Sequence, residues 1–219
     1  MAAPNPDKSR YQYDIVVIGA GIAGLMASNY LSKAGYKVAV LEKSRGVGGR
    51  MATRRLGEAV CDHGTQYFSV KGRAFGSVVL EARKSGALMP WCDMFPKAET
   101  LEDAAVISLD EVGHARWKGS QGMTSLPKHL AQQLSESVKT GVRVSDVSIQ
   151  DDSVRLSCEN NEVFVARAAL LTTPVPQALE ILTSGGLIPP DVDSETWEVL
   201  ASVEYSPCFS LMLKLNQPS

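Results

Sequence analysis

The chain has 219 residues, of which 44% are hydrophobic and 21% are charged, and its formal net charge is −2. This composition is typical of a folded globular protein, and the near-zero net charge argues against general electrostatic binding to nucleic acid. The four cysteines and three histidines are scattered along the chain, so the sequence predicts neither a disulfide framework nor a metal site. No stretch reaches the ~20 apolar residues of a membrane span and no secretory signal opens the sequence, so we expect a cytoplasmic protein with no membrane partner.

A βαβ unit is predicted near the start of the chain. YDIVVI, residues 13–18, and KVAVLE, residues 37–42, are short apolar runs typical of buried parallel strands. Between them, apolar residues recur at helical spacing from Ile22 onward, and Gly35 suits the end of that helix. Together the three elements make one βαβ unit of about 30 residues.

A GxGxxG motif joins the first strand of this unit to its helix. Gly19 allows a tight turn, Gly21 lets the backbone approach a pyrophosphate at the helix N-terminus, and Gly24 allows close helix–strand packing. Glu42, at the end of the second strand, can accept hydrogen bonds from the ribose hydroxyls of an adenosine. The motif therefore predicts dinucleotide binding, and the alternative is a glycine turn with a purely structural role.

The loop after the second strand combines cations with glycines. Arg45, Gly48, Gly49 and Arg50 form the pattern RxxGGR directly behind Glu42. Glycines let a backbone pass close to a bulky ligand, and arginines can bind a pyrophosphate through bidentate hydrogen bonds. An NAD enzyme needs no such loop, so the pattern favours FAD over NAD; the alternative is a flexible cationic surface loop.

The remaining sequence predicts a mixture of short strands and helices. In chain order these are a strand at 58–61, a helix at 73–85, weak strands between 87 and 118, a helix at 124–137, strands at 142–150, 153–159, 162–168 and 169–173, a helix at 176–182 and a strand at 203–215. The three strands from 142 to 168 alternate apolar and polar residues and are separated by turn signals. They predict an antiparallel meander.

Several segments resemble one protein family in the same order. GGRMATRR (48–55) and DHGTQYF (62–68), with WKGSQGMTSL (117–126) and LLTTPVPQALEIL (170–182), are similar to renalase-like members of the FAD-binding amine-oxidase-type superfamily. The resemblance spans residues 13 to about 215. It implies FAD as cofactor, hydride transfer from a reduced small-molecule substrate such as a dihydro-NAD(P) isomer, and O2 as electron acceptor. A plain FAD-dependent amine oxidase is the alternative.

The same resemblance implies contacts of individual residues with the cofactor. Gln66 and Tyr67 are expected to lie against the flavin, although a half-buried strand end is the alternative for both. Val144 is expected to contact the adenine through its backbone. Thr173 is expected to approach the ADP half, and a plain strand end is the alternative. No catalytic side chain is predicted, because the flavin carries the chemistry. The expected cofactor contacts are Gly19, Ala20, Gly21, Ala23, Gly24, Glu42, Lys43, Arg45, Gly49, Arg50, Gln66, Tyr67, Val144 and Thr173.

The predicted fold class is α/β: a Rossmann-like FAD-binding domain with a three-stranded β-meander, plus an incomplete antiparallel α+β substrate domain. The expected boundaries are 1–12 for a flexible N-terminus, 13–72 and 140–175 for the FAD-binding domain, and 73–139 and 176–219 for the partial substrate domain. Members of the superfamily return to the FAD domain with a last strand and a Gly-Asp motif, and no such motif follows residue 200. We therefore expect a chain truncated at its C-terminus, with a non-catalytic FAD-binding fragment as a further alternative.

Overall fold

The computed structural model describes residues 11–93, 96–101, 104–109, 115–134, 137–188 and 193–213, with side chains described outside 94–114. The chain forms two compact units. The first comprises Met1–Gly49 and Leu130–Phe209, and the second comprises Arg50–His129 and Ser210–Ser219. Most of the flexible segment predicted at 1–12 lies outside the described residues, and the predicted domain boundaries stay a prediction.

The described residues contain helices and strands from both units. The strands are β1 (Tyr13–Ile18), β2 (Val38–Glu42), β3 (Thr53–Leu56), β4 (Ala59–Asp62), β5 (Phe68–Ser69), β6 (Leu88–Cys92), β7 (Pro96–Leu101), β8 (Ala104–Leu109), β9 (Arg116–Gly119), β10 (Val138–Thr140), β11 (Val144–Gln150), β12 (Ser153–Cys158) and β13 (Val163–Leu171). The helices are α1 (Ile22–Lys33), α2 (Arg73–Lys84), α3 (Ser125–Gln132), α4 (Val175–Ser184) and α5 (Ser194–Ala201), and a short 3-10 turn covers Gly49–Met51.

A six-stranded sheet in the order β10-β2-β1-β13-β12-β11 forms the first unit. β10, β2, β1 and β13 are parallel to one another, whereas β13, β12 and β11 form an antiparallel meander. Val16, Leu41, Leu156 and Phe164 are among the buried side chains of its core. The predicted Rossmann-like α/β fold with a three-stranded meander is confirmed.

The strand β13 is longer than the sequence predicted. Two strands were expected, at 162–168 and 169–173, but a single strand runs from Val163 to Leu171. Its first part pairs with β12 as far as Ala166, and from Ala166 onward it pairs with β1. One continuous strand can therefore join the antiparallel meander to the parallel sheet, which is why no turn interrupts it.

The described residues from 193 onward differ most from the prediction. α5 was not predicted; it begins after Asp193, whose side chain accepts a hydrogen bond from the Thr196 N–H. The strand predicted at 203–215 is wrong over 203–213, because those residues form no strand ladder, and 214–215 lie outside the described residues. Phe209 and Leu211 are 94% and 84% exposed. Their alternation in sequence resembles a strand, but no backbone in the described ranges pairs with residues 203–213 as a ladder.

Antiparallel strands dominate the second unit. β5, β9 and β6 form a three-stranded sheet, and β3–β4 and β7–β8 are two-stranded pairs. α2 packs against this sheet: the Phe75 ring lies 5.5 Å from the Phe68 ring, and the Arg83 guanidinium lies 5.6 Å from the Trp117 ring. This arrangement agrees with the antiparallel α+β architecture expected beside the Rossmann-like domain.

Candidate functional site

The glycine motif forms a tight turn between β1 and α1. Gly19 has a φ of +104°, which favours glycine, and its N–H donates to the Leu41 carbonyl at 2.8 Å. A Cβ on Gly24 would collide with the Gly19 carbonyl oxygen and lie 2.6 Å from the Thr172 hydroxyl, whereas a Cβ on Gly21 would meet nothing within 4 Å. Gly24 is therefore needed for packing inside the protein, while Gly21 borders open space at the start of α1.

Glu42 lies buried beside this turn, at the carboxyl end of β2. Glu42 is only 8% exposed. Oε2 accepts the Ala20 N–H at 2.8 Å, and Oε1 accepts the Ser44 N–H at 2.8 Å. A carboxylate has about four acceptor positions, so each oxygen can still accept a bond from a ligand hydroxyl.

Gly48 and Gly49, the two glycines of the RxxGGR loop, contact the glycine turn between β1 and α1. The Gly48 N–H donates to the Ala20 carbonyl at 2.9 Å, and Gly48 pairs with Gly21 in a short parallel bridge. Gly48 and Gly49 have φ values of +127° and +53°, and a Cβ on Gly49 would lie 3.3 Å from the Gly21 Cα. The two motifs, separate in sequence, are therefore joined directly through their backbones.

Two threonines after β13 reach the same turn. The Thr172 hydroxyl donates to the Ile18 carbonyl at 2.9 Å and is 3.1 Å from the Gly19 carbonyl. The Thr173 hydroxyl is buried, yet among the described residues it has no hydrogen-bond partner. Burying an unpaired hydroxyl costs free energy, and a polar ligand atom would offset that cost. Together with the open space at Gly21, this hydroxyl fits a bound dinucleotide.

The remaining predicted contacts of the first unit lie around this turn or on its surface. The side chains of Lys43 and Arg45 are exposed, and Lys43 Nζ is 3.2 Å from the Gln177 side-chain oxygen. Val144 is buried at a β-bulge of β11. Two residues before it, the Val142 N–H donates to the Glu42 carbonyl at 2.9 Å, so the start of β11 adjoins the end of β2.

Arg50, Gln66 and Tyr67 belong to the second unit. The Arg50 carbonyl accepts the Thr65 N–H at 2.9 Å, and a Cβ on Gly64 would collide with that carbonyl. The backbone of Arg50 is thus held against the segment that leads into Gln66 and Tyr67. The Tyr67 ring is 39% exposed and lies 5.3 Å from the Trp91 ring.

Sequence reasoning missed a set of hydrogen-bonded side chains in the second unit, formed by Thr53, Asp62 and Thr124. The available signal was their position: Thr53 follows GGR by three residues, and Asp62 and Thr124 flank glycine-containing segments. Side-chain hydrogen bonding between such distant residues leaves no periodic pattern in a sequence.

Cys158, a buried residue of β12, has a shifted pKa. Burial, followed by the charges of Glu162 and Asp146, raises the pKa of Cys158 to about 11, so its thiol stays protonated near neutral pH.

In the described ranges, no three His, Cys, Asp or Glu side chains are grouped as metal ligands. No helix in the described part of the chain is both long and apolar enough to cross a membrane.

Comparisons with known proteins agree with this geometry. Residues 17–79 match the NAD(P)-binding Rossmann-like domain, and residues 104–219 match the family of flavin containing amine oxidoreductases. The chain is 60% identical over 42 residues to an L-amino-acid oxidase of Echis ocellatus, covering 19% of this chain and 8% of that protein. It is 50% identical over 50 residues to the flavin-dependent L-tryptophan oxidase RebO of Lentzea aerocolonigenes, covering 23% of this chain and 11% of that protein.

Solved structures are similar in fold. A double mutant of putrescine oxidase superposes with a TM-score of 0.64 at 14% identity, covering 86% of this chain and 63% of that chain. A fatty acid isomerase from P. acnes superposes with a TM-score of 0.66 at 14% identity, covering 87% of this chain and 64% of that chain. The matches thus span about a tenth of these two curated oxidases and less than two thirds of these solved chains.

Proposed function

Because the chain belongs to the family of flavin containing amine oxidoreductases, we propose that it is an FAD-dependent oxidoreductase acting on a reduced small molecule. The substrate would lose a hydride and the electrons would pass on to O2. The family and its flavin-dependent relatives imply FAD as the cofactor. The activity, the substrate and the electron acceptor are part of the proposal.

One observation supports cofactor binding most directly. The GxGxxG turn, the GG pair and the buried Glu42 carboxylate meet at the carboxyl end of the parallel strands, where open α/β sheets bind nucleotides. A ligand pyrophosphate would meet the half-buried backbone of Gly21 and the N-terminus of α1, whose first turn contains no acidic residue. A purely structural turn would not need the open space at Gly21.

Each proposed contact follows from the chemistry of the residue. Glu42 would accept hydrogen bonds from the ribose hydroxyls, and the exposed Arg45 and Arg50 side chains would neutralise the pyrophosphate. The Thr173 hydroxyl would donate to the ADP half, and the backbone near Val144 would bind the adenine. Bound FAD would supply the hydride acceptor, while the protein supplies binding and orientation.

Two substrate classes remain in the proposal. The motifs GGRMATRR and DHGTQYF favour a renalase-like oxidase of dihydro-NAD(P) isomers, for which Gln66 and Tyr67 would lie against the flavin. The similarity to amino-acid oxidases and the fold shared with putrescine oxidase favour the second candidate, an oxidase of amines or amino acids.

Titration of the purified protein with FAD tests the proposal. We expect a yellow complex with the flavin absorption band, and protein that stays colourless in excess FAD would contradict it. Anaerobic mixing of the yellow complex with dihydro-NAD(P) isomers, putrescine or L-amino acids would then separate the two candidates. Bleaching by the isomers alone favours the first candidate, and bleaching by an amine or amino acid favours the second.

A further inference from the structure

Thr53 and Thr124 hold each other through reciprocal hydrogen bonds within the second unit. The Thr53 N–H donates to Thr124 Oγ1 at 2.6 Å, and the Thr124 N–H donates to Thr53 Oγ1 at 3.0 Å. Each hydroxyl then donates its own proton: Thr53 Oγ1 to Asp62 Oδ1 at 2.6 Å, and Thr124 Oγ1 to the Met51 carbonyl at 3.2 Å. Every hydroxyl in this pair therefore both accepts and donates.

A single oxygen of Asp62 connects this pair to a third segment. Asp62 Oδ1 accepts the Thr53 hydroxyl and also the Met123 N–H at 2.9 Å. Hydrogen bonds to a charged acceptor are shorter and stronger than neutral ones. The carboxylate therefore joins the backbone of residues 51–53 to that of residues 123–124.

The space around these three residues, the Thr53–Asp62–Thr124 cluster, is filled. A Cβ on Gly122, whose φ is +95°, would lie 2.5 Å from Thr53 Cγ2 and 3.0 Å from Val60 Cγ1. Met123 is completely buried and Met51 is 7% exposed. The segments are thus fixed by packing as well as by hydrogen bonds.

The cluster borders the residues that we propose to contact the flavin half of the cofactor. Arg50 directly precedes Met51, and its carbonyl is bound by the Thr65 N–H. Gln66 and Tyr67 follow Thr65 in the chain. Hydrogen bonds therefore hold the backbone next to each of the proposed contact residues. After Arg50 they bind Met51 and Thr53, and before Gln66 they bind Thr65. The Asp62 side chain accepts bonds in the same network.

We propose that Thr53, Asp62 and Thr124 are positioning residues for the flavin half of FAD. They hold the backbone that presents Arg50, Gln66 and Tyr67, without touching the cofactor. Thr53 and Asp62 are paired at the end of the β3–β4 ladder, and beyond that end residues 50–52 and 63–67 form no ladder. Contacts placed to within about 0.5 Å need support from the surrounding residues. This inference rests on the proposed binding of FAD.

Two variants of Thr53 test the role of the cluster. Thr53→Val keeps the shape of the side chain but removes the hydroxyl. The Thr124 N–H then loses its acceptor, and Asp62 Oδ1 loses the hydroxyl donor. Thr53→Ser keeps the hydroxyl and is the matched control. Calorimetric titration of the FAD-free proteins would use FAD and AMP as ligands, since AMP carries only the adenosine half and one phosphate.

We expect Thr53→Val to raise the Kd for FAD by about tenfold, which corresponds to about 1.4 kcal/mol, and to leave the Kd for AMP within about twofold. The visible absorption bands of the bound flavin should also shift, because its surroundings change. Thr53→Ser should match the unmodified protein in all three measurements.

A general loss of stability would give a different result. If Thr53→Val weakens FAD and AMP by the same factor, or weakens neither, the positioning role is wrong. If Thr53→Val does not fold, Asp62→Ala and Asp62→Asn are measured in its place. The Asn oxygen can accept both hydrogen bonds and Ala cannot, so Asp62→Ala should weaken FAD binding more than Asp62→Asn. Equal affinities in these two variants would contradict the positioning role. Failure of the unmodified protein to bind FAD would instead overturn the proposed function, and the inference with it.

Discussion

Glu42 illustrates how one buried carboxylate can serve the protein and a ligand together. Its two oxygens accept the N–H groups of Ala20 and Ser44. These bonds stabilise the glycine turn and the start of the RxxGGR loop before any cofactor is bound. The same bonds fix the direction of the carboxylate, so a ribose would meet a preorganised acceptor.

Replacement of this carboxylate should therefore affect both binding and the turn. We expect Glu42→Ala to weaken FAD binding by about 1–3 kcal/mol, because charge-assisted hydrogen bonds are lost and two backbone N–H groups lose their acceptor. Fluorescence titration with FAD measures the effect. Glu180→Ala, which removes an exposed carboxylate of α4, is the control for loss of charge. Equal FAD affinity in both variants would mean that Glu42 does not bind the ribose.

The βαβ unit assigns different roles to the glycines of one motif. Gly24 permits α1 to pack against the turn, since a Cβ there would collide with the backbone of Gly19. Gly21 has an ordinary φ of −72° and free space around the position of a Cβ. Within four residues, the motif therefore contains one glycine required for packing and one that we propose to approach the ligand.

This separation predicts opposite effects for two similar substitutions. Gly24→Ala should destabilise the fold by about 1–3 kcal/mol, the usual cost of overpacking, as measured by urea denaturation without FAD. Gly21→Ala should change that stability by less than about 1 kcal/mol but weaken FAD binding, because the methyl group would occupy the space proposed for the pyrophosphate. A Gly21→Ala protein with unchanged FAD affinity would show that no ligand approaches this glycine.

On the scale of the whole molecule, the sheet of the first unit supplies the framework for the turn. β1 lies between β2 and β13, so the residues of the turn, Glu42 and the threonines after β13 come from neighbouring strand ends. The antiparallel meander extends the same sheet and supplies part of the core through Leu156 and Phe164. Core residues of the meander such as Leu156 and Phe164 should therefore affect cofactor binding only through the stability of this sheet.

The meander offers a direct test of this framework. Leu156→Ala should lower the free energy of unfolding by about 2–5 kcal/mol, because its side chain is completely buried. Ile149→Ala, in the adjacent strand, should change it by about 0.5 kcal/mol or less, because Ile149 is 63% exposed. Denaturant unfolding measures both. Similar losses in the two variants would show that the meander does not contribute to the core as described.

Local sequence patterns were enough to predict the βαβ unit, its glycine turn and the meander. Each depends on residues that are close in the chain: an apolar run, a glycine that adopts positive φ, or an alternation of period two. The limits of elements were less predictable, as the single strand β13 and the unpredicted α5 show. A strand partner or a helix cap is supplied by the surrounding fold and changes where an element ends.

The arrangement of the site depends on contacts between residues far apart in sequence. Gly48 lies against Gly21, and Thr172 contacts Gly19 although 153 residues separate them in the sequence. The Thr53–Asp62–Thr124 cluster likewise depends on which segments meet. So does the absence, within the described part of the chain, of a strand ladder at residues 203–213. Sequence periodicity reports only the environment of each residue along its own element, so the residue types of the site were predictable while their hydrogen-bond partners required the tertiary structure.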